Sequence, residues 1–143
     1  MGAALAEAKQ ALKSGDKPDG AVAVLDEALV ARGHSQVETT GDPTAHAVMV
    51  VLREAARRLG RSNLGGLTIF TAHEPCAMCV GALIESDVDG LVYALSDPLK
   101  GAASSNPTAS VDALRRRVRI VSGIMQAEAA ELSAPQTVGT RRS

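Results

Sequence analysis

The chain has 143 residues, the size of one ordinary globular domain, which excludes a two-domain enzyme. Its 45% hydrophobic residues are enough for a core, and its net charge of −1 supplies no general attraction to a phosphate backbone. We find no run of about 18 apolar residues and no secretory leader, so we expect a soluble cytoplasmic protein that does not cross a membrane.

Helix and strand patterns alternate along the chain. They predict, in order, a helix over 2–12, a hairpin of strands over 21–25 and 28–31, a loop over 33–43, a helix over 44–59, a strand over 67–71, a helix over 79–85, a strand over 90–95, a loop over 101–108, a helix over 111–118, a strand over 119–121 and a helix over 125–132. Because parallel strands require helical crossovers, the alternation predicts an α/β fold, a three-layer α/β/α sandwich. We expect one domain over 1–133 and a flexible tail over 134–143.

The two cysteines, Cys76 and Cys79, form a C-x-x-C motif at the start of a predicted helix. Thiolates and imidazoles are preferred zinc ligands, so the motif favours a metal site over a redox pair, its alternative interpretation. Spacing alone does not choose among His34, His46 and His73. His46 is favoured because it begins the long helix, and the N-termini of two helices can meet over one sheet edge. Three protein ligands plus water is the arrangement of catalytic zinc.

His46 lies in the stretch DPTAHAV over 42–48, and the two cysteines lie in the stretch TAHEPCAMCVGA over 71–82. These stretches resemble the cytidine and deoxycytidylate deaminase superfamily, in particular its branch of tRNA adenosine, guanine and cytosine deaminases. The resemblance implies a cytidine deaminase-like sandwich with a mixed five-stranded sheet. It also implies a hydrolytic deaminase whose Zn²⁺ is held by His46, Cys76 and Cys79. Weaker similarity extends over 20–22, 31–34 and 92–98.

The resemblance also implies a catalytic glutamate two positions after the histidine, where this chain has Val48. That carboxylate moves protons between water, the ring nitrogen and the departing ammonia, which an isopropyl group cannot do. The resemblance therefore predicts that this chain is nearly inactive. The most economical explanation is a Glu-to-Val substitution introduced to trap substrate, and the alternative is a natural pseudoenzyme.

The resemblance places further residues against the substrate. Ser35 stands where many members of the branch have a base-binding asparagine, and its shorter reach puts the standard substrate in doubt. Glu74 and Asp97 are candidate polar contacts, with helix capping as the alternative role of each acid. His73 and Ala47 are further candidates, and for His73 the alternative is a solvated turn histidine.

Three functions remain open at this point. Wobble adenosine deamination in tRNA matches the motif pattern, but the net charge and the scarcity of aromatic residues disfavour the clamping of an RNA loop. A non-catalytic zinc-containing binding protein would explain Val48. We favour a zinc-dependent homodimeric hydrolase that deaminates a small amino-substituted nucleobase or a similar heterocycle, without choosing among cytosine-like, guanine-like and triazine-like substrates.

Overall fold

A computed structural model of the protein describes residues 1–106 and 109–134. Its elements are α1 (Gly2–Lys13), β1 (Gly20–Leu25), β2 (Ala28–His34), α2 (Val37–Thr40), α3 (Ala47–Leu59), β3 (Leu67–His73), α4 (Ala77–Glu85), β4 (Gly90–Leu95), α5 (Ala109–Arg117), β5 (Arg119–Ser122) and α6 (Gln126–Ser133). The sheet has the order β2-β1-β3-β4-β5. Strand β1 is antiparallel to β2 and β3, whereas β3, β4 and β5 are parallel, which confirms the mixed five-stranded sheet.

Helices cover both faces of the sheet, as the predicted sandwich requires. Helices α3, α4 and α5 share one buried cluster with the strands, and α1 and α6 share a second cluster on the other face. The second cluster consists of Leu5, Ala8, Ala72, Ala94 and Ala129. In the part of the chain that the structure describes, no helix combines the length and the apolar character needed to cross a membrane.

Small residues let α1 lie directly on β1. Ala4, Ala8 and Ala11 form the buried face of α1, and all three are fully shielded from solvent. A Cβ added at Gly20 would overlap the carbonyl oxygen of Ala4, so the strand and the helix approach each other at backbone distance. This close approach shows how the chain builds a dense core with few aromatic side chains.

Helix α2 lies inside the segment that the sequence predicted to be a loop, over 33–43. The carboxylate of Asp16 accepts hydrogen bonds from the backbone N–H groups of Glu38, at 2.7 Å, and Thr39, at 3.1 Å, and from the Thr39 hydroxyl. These bonds satisfy donors at the first turn of the helix. The sequence pattern missed α2 because this cap comes from another segment and because four residues are too few to show a helical period.

Helix α3 begins at Ala47 rather than at 44. Asp42 accepts hydrogen bonds from the Thr44 N–H, at 2.8 Å, and the Thr44 hydroxyl, at 2.7 Å, which closes a turn before the helix. The Ala45 carbonyl accepts a hydrogen bond from Gln36 instead of taking part in a helical turn. His46 is therefore the N-cap of α3. The predicted tail over 134–143 lies outside the described residues from Pro135 onward.

Candidate metal centre and its cavity

The candidate site lies at the sheet edge where β3 and β4 end. Parallel strands end at the same edge of a sheet, and ligands in open α/β sheets bind outside those carboxyl ends. Strand β3 ends at His73, and the chain then turns through Pro75 into α4, whose N-cap is Cys76. Helix α3 begins nearby with His46 as its own N-cap. The topology thus brings two helix N-termini together at one edge.

His46, Cys76 and Cys79 converge with the geometry of a metal site. The Nδ1 atom of His46 lies 3.5 Å from Sγ of Cys76 and 3.7 Å from Sγ of Cys79. All three ligand atoms lie within 4.8 Å of one another. Tetrahedral zinc, with bonds of about 2.0–2.1 Å to nitrogen and 2.3 Å to sulfur, places neighbouring nitrogen and sulfur ligands about 3.5 Å apart. The donors therefore fit zinc.

The pKa values of the two thiols shift in opposite directions. The hydrogen bond from Cys79 lowers the pKa of Cys76 to about 5, and nearby His46 adds to this effect. The same hydrogen bond raises the pKa of Cys79. Cys76 also caps the N-terminus of α4, a position that favours a thiolate. A zinc ion binding here would displace thiol protons, since thiolates are the ligating form.

A cavity of about 520 Å³ opens beside these ligands. Five of the residues predicted to lie near the substrate or the proton-transfer position line it: Ser35, Val48, His73, Glu74 and Asp97. Ala47 is fully buried in the main core cluster and is not among the cavity-lining residues. The structure therefore brings together all but one of the sequence-derived candidates.

Val48 and Ser35 form part of the buried wall of the cavity. Val48 is 2% exposed and also belongs to the core cluster, so its isopropyl group faces the cavity from the apolar interior. Ser35 is 3% exposed, and its hydroxyl forms no hydrogen bond with another described residue. A buried hydroxyl without a partner is costly, so the Ser35 hydroxyl is available for a bound ligand.

The carboxylates of Glu74 and Asp97 both bind backbone N–H groups. Glu74 is 4% exposed and accepts hydrogen bonds from the loop that follows β4. Asp97 accepts hydrogen bonds from the N–H groups of Leu99, at 3.1 Å, and Lys100, at 3.0 Å. Both acids therefore bind N–H groups of the segment between β4 and α5, which contains no helix over 96–106, so neither contact is the helix capping given as their alternative role.

His73 is held on both sides of its ring. Its Nδ1 lies 3.3 Å from Oδ1 of Asp19, and its Nε2 lies 2.8 Å from the hydroxyl of Ser133 in α6. Burial alone would lower the pKa of His73, but the hydrogen bond and the charge of Asp19 raise it overall. Through these two contacts, His73 connects the residue before β1 and the end of α6 to the cavity wall.

Sequence reasoning missed several lining residues, among them Lys17, Asp19, Glu38, Lys100 and Ser133. The signal for Asp19 was the polar run immediately before the first strand. Since β1 is antiparallel to β3, the start of β1 lies beside the end of β3, at the edge that holds the metal ligands. A polar turn entering an antiparallel neighbour of the central strand was therefore a detectable signal.

Residues 1–95 match the family model described as the cytidine and deoxycytidylate deaminase zinc-binding region. The chain is 36% identical over 129 residues to a tRNA-specific adenosine deaminase of Bacillus subtilis (strain 168), covering 90% of this chain and 80% of that protein. It is 38% identical over 102 residues to the tRNA-specific adenosine deaminase of Aquifex aeolicus (strain VF5), covering 71% and 68% of the two chains.

Solved structures show the same similarity. A structure from a study of A-to-I editing by tRNA:A34 deaminases superimposes with a TM-score of 0.86 at 33% identity, covering 92% of this chain and 96% of the other. A guanine deaminase from Bacillus subtilis gives a TM-score of 0.63 at 37% identity, covering 65% and 60% of the two chains.

Proposed function

This chain belongs to the cytidine and deoxycytidylate deaminase family, and from that membership we propose that its zinc site acts on an adenosine of transfer RNA. The observation that carries the proposal is the 36% identity, over 90% of the chain, to a tRNA-specific adenosine deaminase. The family match over 1–95 includes all three candidate ligands. This substrate replaces the small heterocycle that sequence reasoning favoured, because net charge alone is a weaker indicator than similarity along nearly the whole chain.

His46, Cys76 and Cys79 would hold the zinc ion. Zinc bound there supplies a Lewis acid that makes water a nucleophile near neutral pH. The Ser35 hydroxyl is buried in the wall of the same cavity and offers one donor and two acceptor lone pairs to the polar edge of a base. These residues account for metal binding and for orientation of the base.

The side chain of Val48 can neither take up a proton nor deliver one. Its side chain is apolar, and it lines the cavity at the position where the family places a glutamate. General acid–base catalysis contributes about 10²–10⁴ in rate. We therefore propose that the chain binds its substrate and deaminates it slower than a glutamate version by at least the upper part of that range.

Two other functions each have one observation in their favour. Deamination of a small nucleobase is favoured by the 37% identity to a guanine deaminase, although that similarity covers only 65% of the chain. A binding protein that holds zinc but does not catalyse is favoured by Val48 itself.

The test compares the native chain with V48E and with V48Q, which is similar in size to glutamate but transfers no proton. Each is incubated with an anticodon stem-loop RNA that has adenosine at the wobble position, and separately with guanine and cytosine. We expect V48E to release ammonia and form inosine from the RNA, and the other two proteins to remain near background.

Three other results would contradict parts of the proposal. Ammonia from a free base but not from the RNA would identify a nucleobase deaminase. Inactivity of V48E on every substrate would favour the binding protein. Turnover by the native chain as fast as by V48E would overturn the assignment of proton transfer to position 48.

A further inference from the structure

We propose that Glu74 is a positioning residue whose buried carboxylate holds the wall loop, residues 97–106, in the conformation that places Asp97 and Lys100 at the cavity. The proposal deepens the proposed function, on which it rests for the identity of the substrate. The proposal is supported by the set of contacts between the wall loop and the turn that leads to Cys76.

The wall loop is folded around the Glu74 carboxylate. Oε1 accepts hydrogen bonds from the Asp97 N–H, at 3.0 Å, and from the Ser105 hydroxyl. Oε2 accepts them from the N–H groups of Ala103, at 3.2 Å, Ser104, at 2.8 Å, and Ser105, at 2.8 Å. One carboxylate thus binds both ends of the loop.

These loop donors compensate the burial of the Glu74 charge. Glu74 is 4% exposed, and within residues 1–106 and 109–134 it forms no ion pair with a lysine or arginine. A glutamine side chain would place an NH₂ group among N–H donors and leave some of them without an acceptor.

Gly101 gives independent evidence that the carboxylate occupies the centre of the loop. A Cβ built on Gly101 would overlap the Glu74 carboxyl group and also the backbone carbonyl oxygen of Asp97. The φ of Gly101 is not in the left-handed region, so the backbone conformation itself does not require glycine. Glycine at this position therefore leaves room for both the Glu74 carboxylate and the Asp97 carbonyl.

The same loop is bonded to the turn that contains a metal ligand. Glu74 and Pro75 immediately precede Cys76, and the Pro75 carbonyl accepts a hydrogen bond of 2.8 Å from the N–H of Ala102. Asp97 and Lys100 line the cavity that Cys76 also lines. The position of this wall relative to the metal ligands is consequently fixed through Glu74 and Pro75.

The first experiment measures hydrogen exchange by mass spectrometry in the native chain, E74Q and G101A. The control is E38Q, which removes a carboxylate that lines the same cavity but has no hydrogen bond or ion pair with residues 97–106. We expect exchange over 97–106 to accelerate about tenfold in E74Q and G101A, because charge-assisted hydrogen bonds are lost. Exchange in β3 and the zinc content remain as in the native chain, and E38Q leaves the loop unchanged.

Two results would overturn the proposal. Unchanged exchange over 97–106 in E74Q would show that the carboxylate does not hold the loop. Accelerated exchange along the whole chain, with loss of zinc, would show that Glu74 only stabilises the fold.

The second experiment measures the effect on the substrate, with the V48E chain as background. We expect E74Q to raise KM for the anticodon stem-loop RNA about tenfold or more with a smaller change in kcat, because the wall is misplaced while the metal ligands stay in position. An unchanged KM would overturn the role in positioning. If V48E is inactive on this RNA, the proposed function fails, whereas the exchange experiment still decides the role of Glu74.

Discussion

Single side chains decide what the site can bind and what it can catalyse. His46 and Cys76 are both helix N-caps, so their side chains are fixed by the ends of two rigid elements rather than by a loop. Val48 lies in the first turn of α3 and is buried among apolar neighbours. Val48 is not one of the three candidate metal ligands, so we expect a change at position 48 to alter proton transfer without removing a ligand.

The three ligands predict the metal content. We expect about one zinc per chain in the native protein and less than half an equivalent in C76A, because two remaining ligands hold zinc weakly. H34A is the matched control, since His34 pairs with Glu7 at 2.9 Å and is not one of the three ligands. Plasma emission spectrometry on undepleted protein makes the measurement. Equal zinc in C76A and in the native chain would exclude this site.

His73 predicts a pH dependence of stability. Its pKa in the folded protein is raised above the ordinary value of 6.5, so the protonated form is favoured by folding. This contribution is fully present below about pH 6.5 and is lost as the pH rises through the folded pKa. We expect Tm to fall between pH 6 and pH 8.5 more steeply in the native chain than in H73Q, measured by calorimetry. Parallel pH profiles would exclude the contribution.

At the scale of elements, contacts between segments distant in sequence set the ends of helices and their distance from the sheet. Asp16 caps α2 from 22 residues away, and the hydrogen bonds with Thr39 lower the pKa of Asp16. Helix α1 packs on β1 through alanines, and Gly20 allows the two backbones to approach closely. Both features depend on the packing of neighbours rather than on local propensity.

Gly20 predicts a steric penalty. G20A places a methyl group against the backbone of α1, and we expect the free energy of unfolding to fall by about 1–3 kcal/mol because the helix must shift. G81A is the matched control, since a Cβ at Gly81 meets nothing within 4 Å and alanine favours the helix by about 0.5–1 kcal/mol. Urea denaturation compares the two. A G20A protein as stable as G81A would contradict the close approach of α1 and β1.

At the scale of the whole molecule, the sheet edge holds everything that the proposed function uses. The metal ligands, the buried Ser35 hydroxyl and the wall loop meet there because two parallel strands end beside the start of an antiparallel one. Met49, Met78 and Ile84 remain only partly buried on α3 and α4, the two helices that supply the metal ligands.

These partly buried residues support the expectation of a homodimer. A domain this small gains from a partner that covers apolar helix faces, and most soluble homo-oligomers are two-fold dimers. We expect light scattering to give twice the mass of one chain at micromolar concentration. We expect M78E to shift the mass toward that of a monomer, with exposed L99E as the control. A native chain that stays monomeric across working concentrations would contradict this prediction.

The sequence by itself determined the family, the alternation of helices and strands, and the three candidate ligands. Those features are local: the C-x-x-C motif, the histidine at a helix start and the apolar periodicity each lie within one short segment. The identity of residue 48 is likewise read directly from the chain, and the loss of proton transfer that we expect there rests on the chemistry of an isopropyl group.

The tertiary structure decided which polar groups are free to bind a ligand. Glu74 and Asp97 looked alike in sequence, yet Glu74 is buried under loop donors 23 to 31 residues away, whereas Asp97 caps its own turn. Ser35 became a substrate candidate with physical support only when its hydroxyl proved buried without a partner. Burial and hydrogen-bond satisfaction depend on segments that meet only after folding, so no local pattern contains them.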